Sequence, residues 1–201
     1  LRTSQPTAKA GLLFITQDNN LGKSKYIKAI NMIEDCSLSF WSLEDGEQGV
    51  GNAFLLDRPL TAFFSSRQCP GAVILAAMAW AVEHAHSKSP VISGFHSPLE
   101  QSVLEVLFTA GAPCVIVITR KLEQAHLPPT WLLAAQNGKA AIVSMKDTTR
   151  RLTTELAARR NDWVAEHAAR IVVAHASAGG SLLRQAMQWE NKGRTVDYLL
   201  K

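Results

Sequence analysis

The chain has 201 residues, 47% of them hydrophobic, and a mean hydropathy of +0.01, which suits one packed domain and excludes a disordered chain. Its three cysteines, Cys36, Cys69 and Cys114, are odd in number, widely spaced and set in or beside apolar runs; this excludes a disulfide framework or a Cys-x-x-Cys zinc site and points to reduced thiols in a cytoplasmic protein. The net charge of +4 is uneven, with 8 Lys/Arg against 9 Asp/Glu in residues 1–100 and 13 against 8 in residues 101–201, so local clusters matter more than the total.

In chain order, short apolar runs alternate with amphipathic stretches. Residues 12–16 read as a strand, and residues 44–51, rich in glycine and acidic side chains, read as a loop or linker. Residues 1–55 are expected to form an N-terminal lead-in segment and residues 56–201 the main domain. Further strands are predicted at 60–65, 90–93, 115–119, 140–144, 170–174 and 195–199. Several are continuous Val/Ile/Leu/Phe runs, as in strands covered on both faces. Helices are predicted at 72–86, 99–110, 131–136, 149–158, 162–169 and 181–190. Pro70 and Pro98 suit helix starts, and Gly111 and Gly138 suit helix ends. The longest apolar run, 72–82, has 11 residues, short of the about 20 needed to cross a bilayer, so no membrane partner is expected. The rhythm predicts an α/β chain: a three-layer Rossmann-like fold with a mainly parallel sheet flanked by helices.

In such folds ligands bind just beyond the C-terminal ends of the strands, and four of these ends share a chemistry. One runs into Ser65-Ser66-Arg67, the next into Ser93-Gly94-Phe95-His96-Ser97, a third into Thr119-Arg120-Lys121. The last runs into His175-Ala176-Ser177-Ala178-Gly179-Gly180-Ser181 and then a helix. Small hydroxyl and glycine residues let a phosphate approach backbone N–H groups at a helix start, and adjacent arginines add charge-assisted bonds. Each loop alone is also what a tight turn and a helix cap look like; four on one sheet edge predict a phosphate-bearing ligand. The Gly179-Gly180-Ser181 turn is neither a dinucleotide fingerprint nor a Walker A loop, since it lacks the lysine that reaches a β- or γ-phosphate.

Taken in order, Ser65-Ser66-Arg67, Val91-Ile92-Ser93-Gly94, Arg160-Asn161, Ala178-Gly179-Gly180-Ser181-Leu182 and Gly193-Arg194-Thr195-Val196 resemble the DNA-processing protein A (DprA/Smf) family over roughly residues 55–200. In that family the corresponding turns line one pocket of an extended Rossmann-like domain that binds single-stranded DNA and loads a RecA-type recombinase on it. The resemblance implies that Arg67 clamps a phosphate. Ser65, Ser66, Ser93, Gly94, Gly179, Gly180 and Ser181 would line the pocket, with Arg160 and Asn161 orienting the bound backbone or bracing the pocket; the strand-end reading adds His96 and Ser177 as candidate contacts. Three positions depart from the family: Ser65 replaces the first glycine of a Gly-Ser-Arg turn, Phe95-His96-Ser97-Pro98-Leu99 replaces a Gly-Ile-Asp segment, and Ala157 stands where the family has an aromatic. A base-stacking platform is therefore gone from that place unless Phe95 substitutes.

The expected partners are single-stranded DNA or a nucleotide, and a RecA-type recombinase, with a homodimer left open. No cofactor, metal or catalytic residue is expected. His84 and His86, two apart on a helix, do not share a face and are no metal pair; His96 and His175 fall at strand ends and stay open as ligand contacts or loop histidines. A nucleotide-sensing module on the same pocket is the alternative. A phosphoribohydrolase of the LOG type ranks third, because Leu182-Leu183-Arg184-Gln185 supplies no carboxylate after the glycine turn.

Overall fold

A computed structural model of the chain describes residues 38–43, 46–147 and 153–200. The strand expected at 12–16, Cys36 and the start of the helix expected at 149–158 lie outside the described residues. The strands are β1 (Phe40–Ser42), β2 (Gln48–Gly51), β3 (Thr61–Ser65), β4 (Val91–Ser93), β5 (Cys114–Arg120), β6 (Ala140–Asp147), β7 (Arg170–His175) and β8 (Val196–Tyr198). The helices are α1 (Gly71–Ser87), α2 (Pro98–Thr109), α3 (Pro129–Gln136), α4 (Thr154–His167) and α5 (Ser181–Asn191).

The eight strands form one sheet in the order β1-β2-β6-β5-β4-β3-β7-β8. From β6 to β8 every pairing is parallel, whereas β2 pairs antiparallel with both β1 and β6. From β3 the chain steps outward through α1, α2 and α3 to β4, β5 and β6. Then α4 carries it back to β7, on the other side of β3. The winding direction reverses between β3 and β7, which makes that crevice the topological switch point.

The unbroken apolar runs follow from the layers. Along β5, Cys114, Ile116 and Ile118 belong to the core under α1, α2 and α3, while Val115 and Val117 belong to the core under α4 and α5. On β3, Phe63 faces the first core and Ala62 and Phe64 the second. Side chains alternate faces along a strand, so a sheet covered twice needs apolar residues at every position. Each large side chain so buried contributes on the order of 1.5–3 kcal/mol.

Two expectations are corrected. The helices expected at 149–158 and 162–169 are one helix, α4, because its polar middle, Arg160-Asn161-Asp162, turns toward the neighbouring layers instead of breaking the chain. Residues 44–51 are not all loop: Gln48–Gly51 is β2, held between β1 and the first half of β6. Trp41 covers Gly49 so closely that a Cβ there would enter its ring, and its Nε1 donates to the Gly51 carbonyl at 3.1 Å. No helix among the described residues is long and apolar enough to cross a membrane.

Candidate functional site

The sheet order places β5, β4, β3 and β7 side by side and parallel, so the four loops singled out in the sequence emerge at one edge. The two that flank the switch point are tied to each other. The Ser177 amide donates to Ser66 Oγ at 2.9 Å, and the Ser66 amide donates to the His175 carbonyl at 2.8 Å.

On either side of this tie a helix begins without a side-chain cap. α1 starts behind Pro70 and α5 behind Gly180, and neither N-cap residue supplies a hydrogen bond from its side chain. First-turn amides have no partner within their own helix, and the helix dipole makes such an end attractive to an anion. Gly179, at φ +69°, turns the chain in the left-handed region that glycine adopts without strain. The Gly180 amide donates to the Ser177 carbonyl at 2.9 Å, and Arg184 folds back onto the Gly179 carbonyl at 2.7 Å. Arg67 is exposed, and its guanidinium has no hydrogen-bond or ion-pair partner among the described residues. With Gln68, Cys69, Ile74, Pro98 and Leu99 it lines a shallow depression of about 360 Å³. A larger groove, about 640 Å³, lies on the flank between α2 and α3 and includes none of the strand-end residues.

The start of α2 is different. Ser97 and Glu100 form a reciprocal capping box, but the Glu100 carboxylate reaches further than a cap needs. Its Oε2 accepts from the amides of His96 (2.8 Å) and Ser97 (3.1 Å), and its Oε1 accepts from the amide of Ser65 at the end of β3 (3.0 Å). The hydroxyls of Ser65 and Ser97 meet at 2.5 Å beside it. Glu100 is 5% exposed. Burial pushes its carboxyl up to about 7, against the opposing pull of the hydrogen bonds from Ser65 and Ser97. A built-in anion thus already holds the amides of this helix start. The sequence reading passed over Glu100, although Ser97-Pro98-Leu99-Glu100 carries a capping-box signature.

The remaining expected residues divide by exposure. Ser65, Ser93, Gly94 and Arg160 are buried; Ser66, Asn161, Ser177 and Gly180 are half-buried; Arg67, His96, Gly179 and Ser181 are exposed. Arg160 lies against Gly94 so closely that a Cβ on that glycine would run into its guanidinium. Its Nη2 donates to Asn161 Oδ1 at 3.0 Å, while Nε and Nη1 are buried without a partner among the described residues. Burial lowers its pKa to about 10. Asn161 passes the contact on, donating to Gln185 Oε1 at 3.2 Å. Gln185 in turn donates to the Ala158 carbonyl and Asp162 Oδ1, each at 2.9 Å, and Trp189 donates to the same Asp162 oxygen at 2.9 Å. The sequence alone gave no sign of this network joining α4 to α5.

Phe95 does not replace the missing stacking aromatic. It is 1% exposed, packs into the core under α1 and α2, and holds φ +48°, with its amide donating to Ser93 Oγ at 3.2 Å. His84 stacks on Trp80 in the last turns of α1, and no group of three or more metal-binding side chains occurs among the described residues.

These features define a class: a Rossmann-like α/β domain with two uncapped helix starts beside its switch point. No family model and no curated protein matches the chain. Among solved structures, DNA processing protein A (DprA) from Streptococcus pneumoniae is similar at a TM-score of 0.64 and 16% identity, over 85% of this chain and 66% of that one. DprA from Helicobacter pylori, described for its single-stranded DNA binding mode, is similar at 0.65 and 16%, over 81% and 80%. The molybdenum cofactor carrier protein of Chlamydomonas reinhardtii is more distant, at 0.50 and 9%. The fold is therefore DprA-like, as the motif order in the sequence implied.

Proposed function

We propose that this chain is a non-enzymatic, DprA-type module that binds the backbone of single-stranded DNA at the strand-end rim and assists a RecA-type recombinase. The observation that carries the reading is the pairing of two uncapped helix starts, α1 and α5, across the tied switch point, with the unpartnered Arg67 between β3 and α1. Backbone amides and a guanidinium together suit a phosphate and are indifferent to the base it carries. The Helicobacter pylori DprA structure, which shares this fold and is described for its single-stranded DNA binding mode, supports the choice of ligand.

Fluorescence anisotropy with a labelled oligo-dT tests it. Affinity should fall steeply with salt, the slope of log K against log salt approaching about −0.7 per phosphate contacted. Flat affinity between low and moderate salt would overturn the reading.

A second reading has one specific observation behind it. No aromatic is exposed at Phe95 or Ala157 to stack a base, which suits a small nucleotide held through its phosphate better than an extended strand. A thermal-shift comparison separates the two: mononucleotides should raise Tm under this second reading, oligonucleotides under the first.

A further inference from the structure

The amides that would meet an anion at the end of β3 and at the start of α2 are already bound to a carboxylate. Glu100 joins two loops that are consecutive on the rim: Oε1 holds the Ser65 amide, immediately before Ser66-Arg67, and Oε2 holds the amides of His96 and Ser97. Nothing in helix capping requires the reach to β3. The N3 glutamate of a capping box needs only the amide of its own N-cap residue, Ser97 here.

We propose that Glu100 is the positioning residue of the rim, and that its proton state sets the geometry of the Ser65–Arg67 turn and thereby the affinity of the rim for anions. The inference rests on the reading of the rim as an anion site. Oε1 has one amide donor and Oε2 has two, so a proton is most readily taken by Oε1, at the expense of the bond from Ser65. That releases the end of β3 from the start of α2 and returns a donor to the rim. It also removes a negative charge buried behind the site, and both changes favour a bound phosphate.

The titratable and charged groups around Glu100 are few. The Cys69 thiol, in the turn before α1, is raised by its own burial, less by the Glu100 charge, and opposed by a hydrogen bond with Ser65. His96 meets the carboxylate through its amide, and its ring is exposed. Arg67 follows Ser65 by two residues and faces solvent. The geometry makes the carboxylate a group whose titration the neighbouring amides must report, and burial places that titration near neutrality.

Two measurements decide the matter. In ligand-free protein, amide resonances of Ser65, His96 and Ser97 should shift together with one midpoint near 7, matching that of a ¹³C-carboxyl-labelled Glu100. With oligo-dT as probe, affinity should be about threefold to tenfold higher at about pH 6 than at about pH 8, and Glu100→Gln should flatten that profile. Resonances that stay still across this range overturn the proposal. So does a pH dependence that Glu100→Gln leaves intact, which His96→Ala would then trace to the histidine. Should the glutamine variant not fold, the labelled carboxyl and the three amides decide the role of Glu100 in the wild type. Failure of oligo-dT to bind at either pH defeats the nucleic-acid reading; inorganic phosphate then becomes the probe for the same pH comparison, and equal phosphate affinity at both values overturns the present proposal.

Discussion

At the scale of single residues, three positions carry most of the argument. Arg67 is exposed and unpartnered among the described residues, so Arg67→Ala should leave Tm within about 2 °C, since surface changes away from special features stay within about 0.5 kcal/mol. It should weaken oligonucleotide binding and lower the salt slope by about 1 contact. Gly94 is the reverse case. A methyl group there enters the space of the buried Arg160 guanidinium, and Gly94→Ala should cost about 1–3 kcal/mol through overpacking, visible as a fall in Tm. Glu100 makes stability depend on pH. Its folded-state value, about 7, lies above the ordinary 4.5, so the folded chain keeps the proton that the unfolded chain gives up. The contribution of this group is complete below about 4.5, falls as pH rises through the interval and is lost above about 7. At about 1.4 kcal/mol per pH unit the whole change is about 3 kcal/mol. Chemical denaturation of wild type and Glu100→Gln across that interval should show the slope in the first and its loss in the second.

At the scale of elements, α4 and α5 are joined by a polar seam between their apolar contacts. Gln185 is 6% exposed and serves Asn161, Asp162 and the Ala158 carbonyl at once. Gln185→Ala should cost about 1–3 kcal/mol, because the Asn161 amide loses its acceptor inside the protein; urea denaturation measures it. The same seam explains where the sequence could be read and where it could not. The apolar stretches 115–118 and 171–174 within the predicted strands declare themselves, since a strand buried on both faces has no polar position there to blur its pattern. The middle of α4 conceals itself: Arg159-Arg160-Asn161-Asp162 looks like a break, and only the packed α5 shows that three of these polar groups turn inward. Strands β1 and β2 are three and four residues long, and β2 is glycine-rich and sheltered by Trp41, so no local apolar alternation announces it. For the site, the chemistry of the loops was legible from serine, glycine and arginine after each strand. The burial of Ser93, Gly94 and Arg160 was not, since it depends on which helix lies over which strand end.

At the scale of the whole molecule, the two cores lie on opposite faces of the same strands, with Phe63 in one and Phe64 in the other. Neither layer is able to melt without stripping the sheet that supports its counterpart. Thermal unfolding should therefore be a single transition, with near-UV and far-UV circular dichroism giving coincident curves; two separated midpoints would show independent layers. The basic second half of the sequence takes its place in the same frame. Arg160 is buried against Gly94, whereas Arg184 and Arg120 from that half, and Arg67 from the near-neutral half, are exposed.

The hydrogen bond from Ser177 to Ser66 spans 111 positions of chain. The two lips of the crevice thus meet only once β7 has docked beside β3, and a contact so distant along the chain is among the slower ones to close in folding.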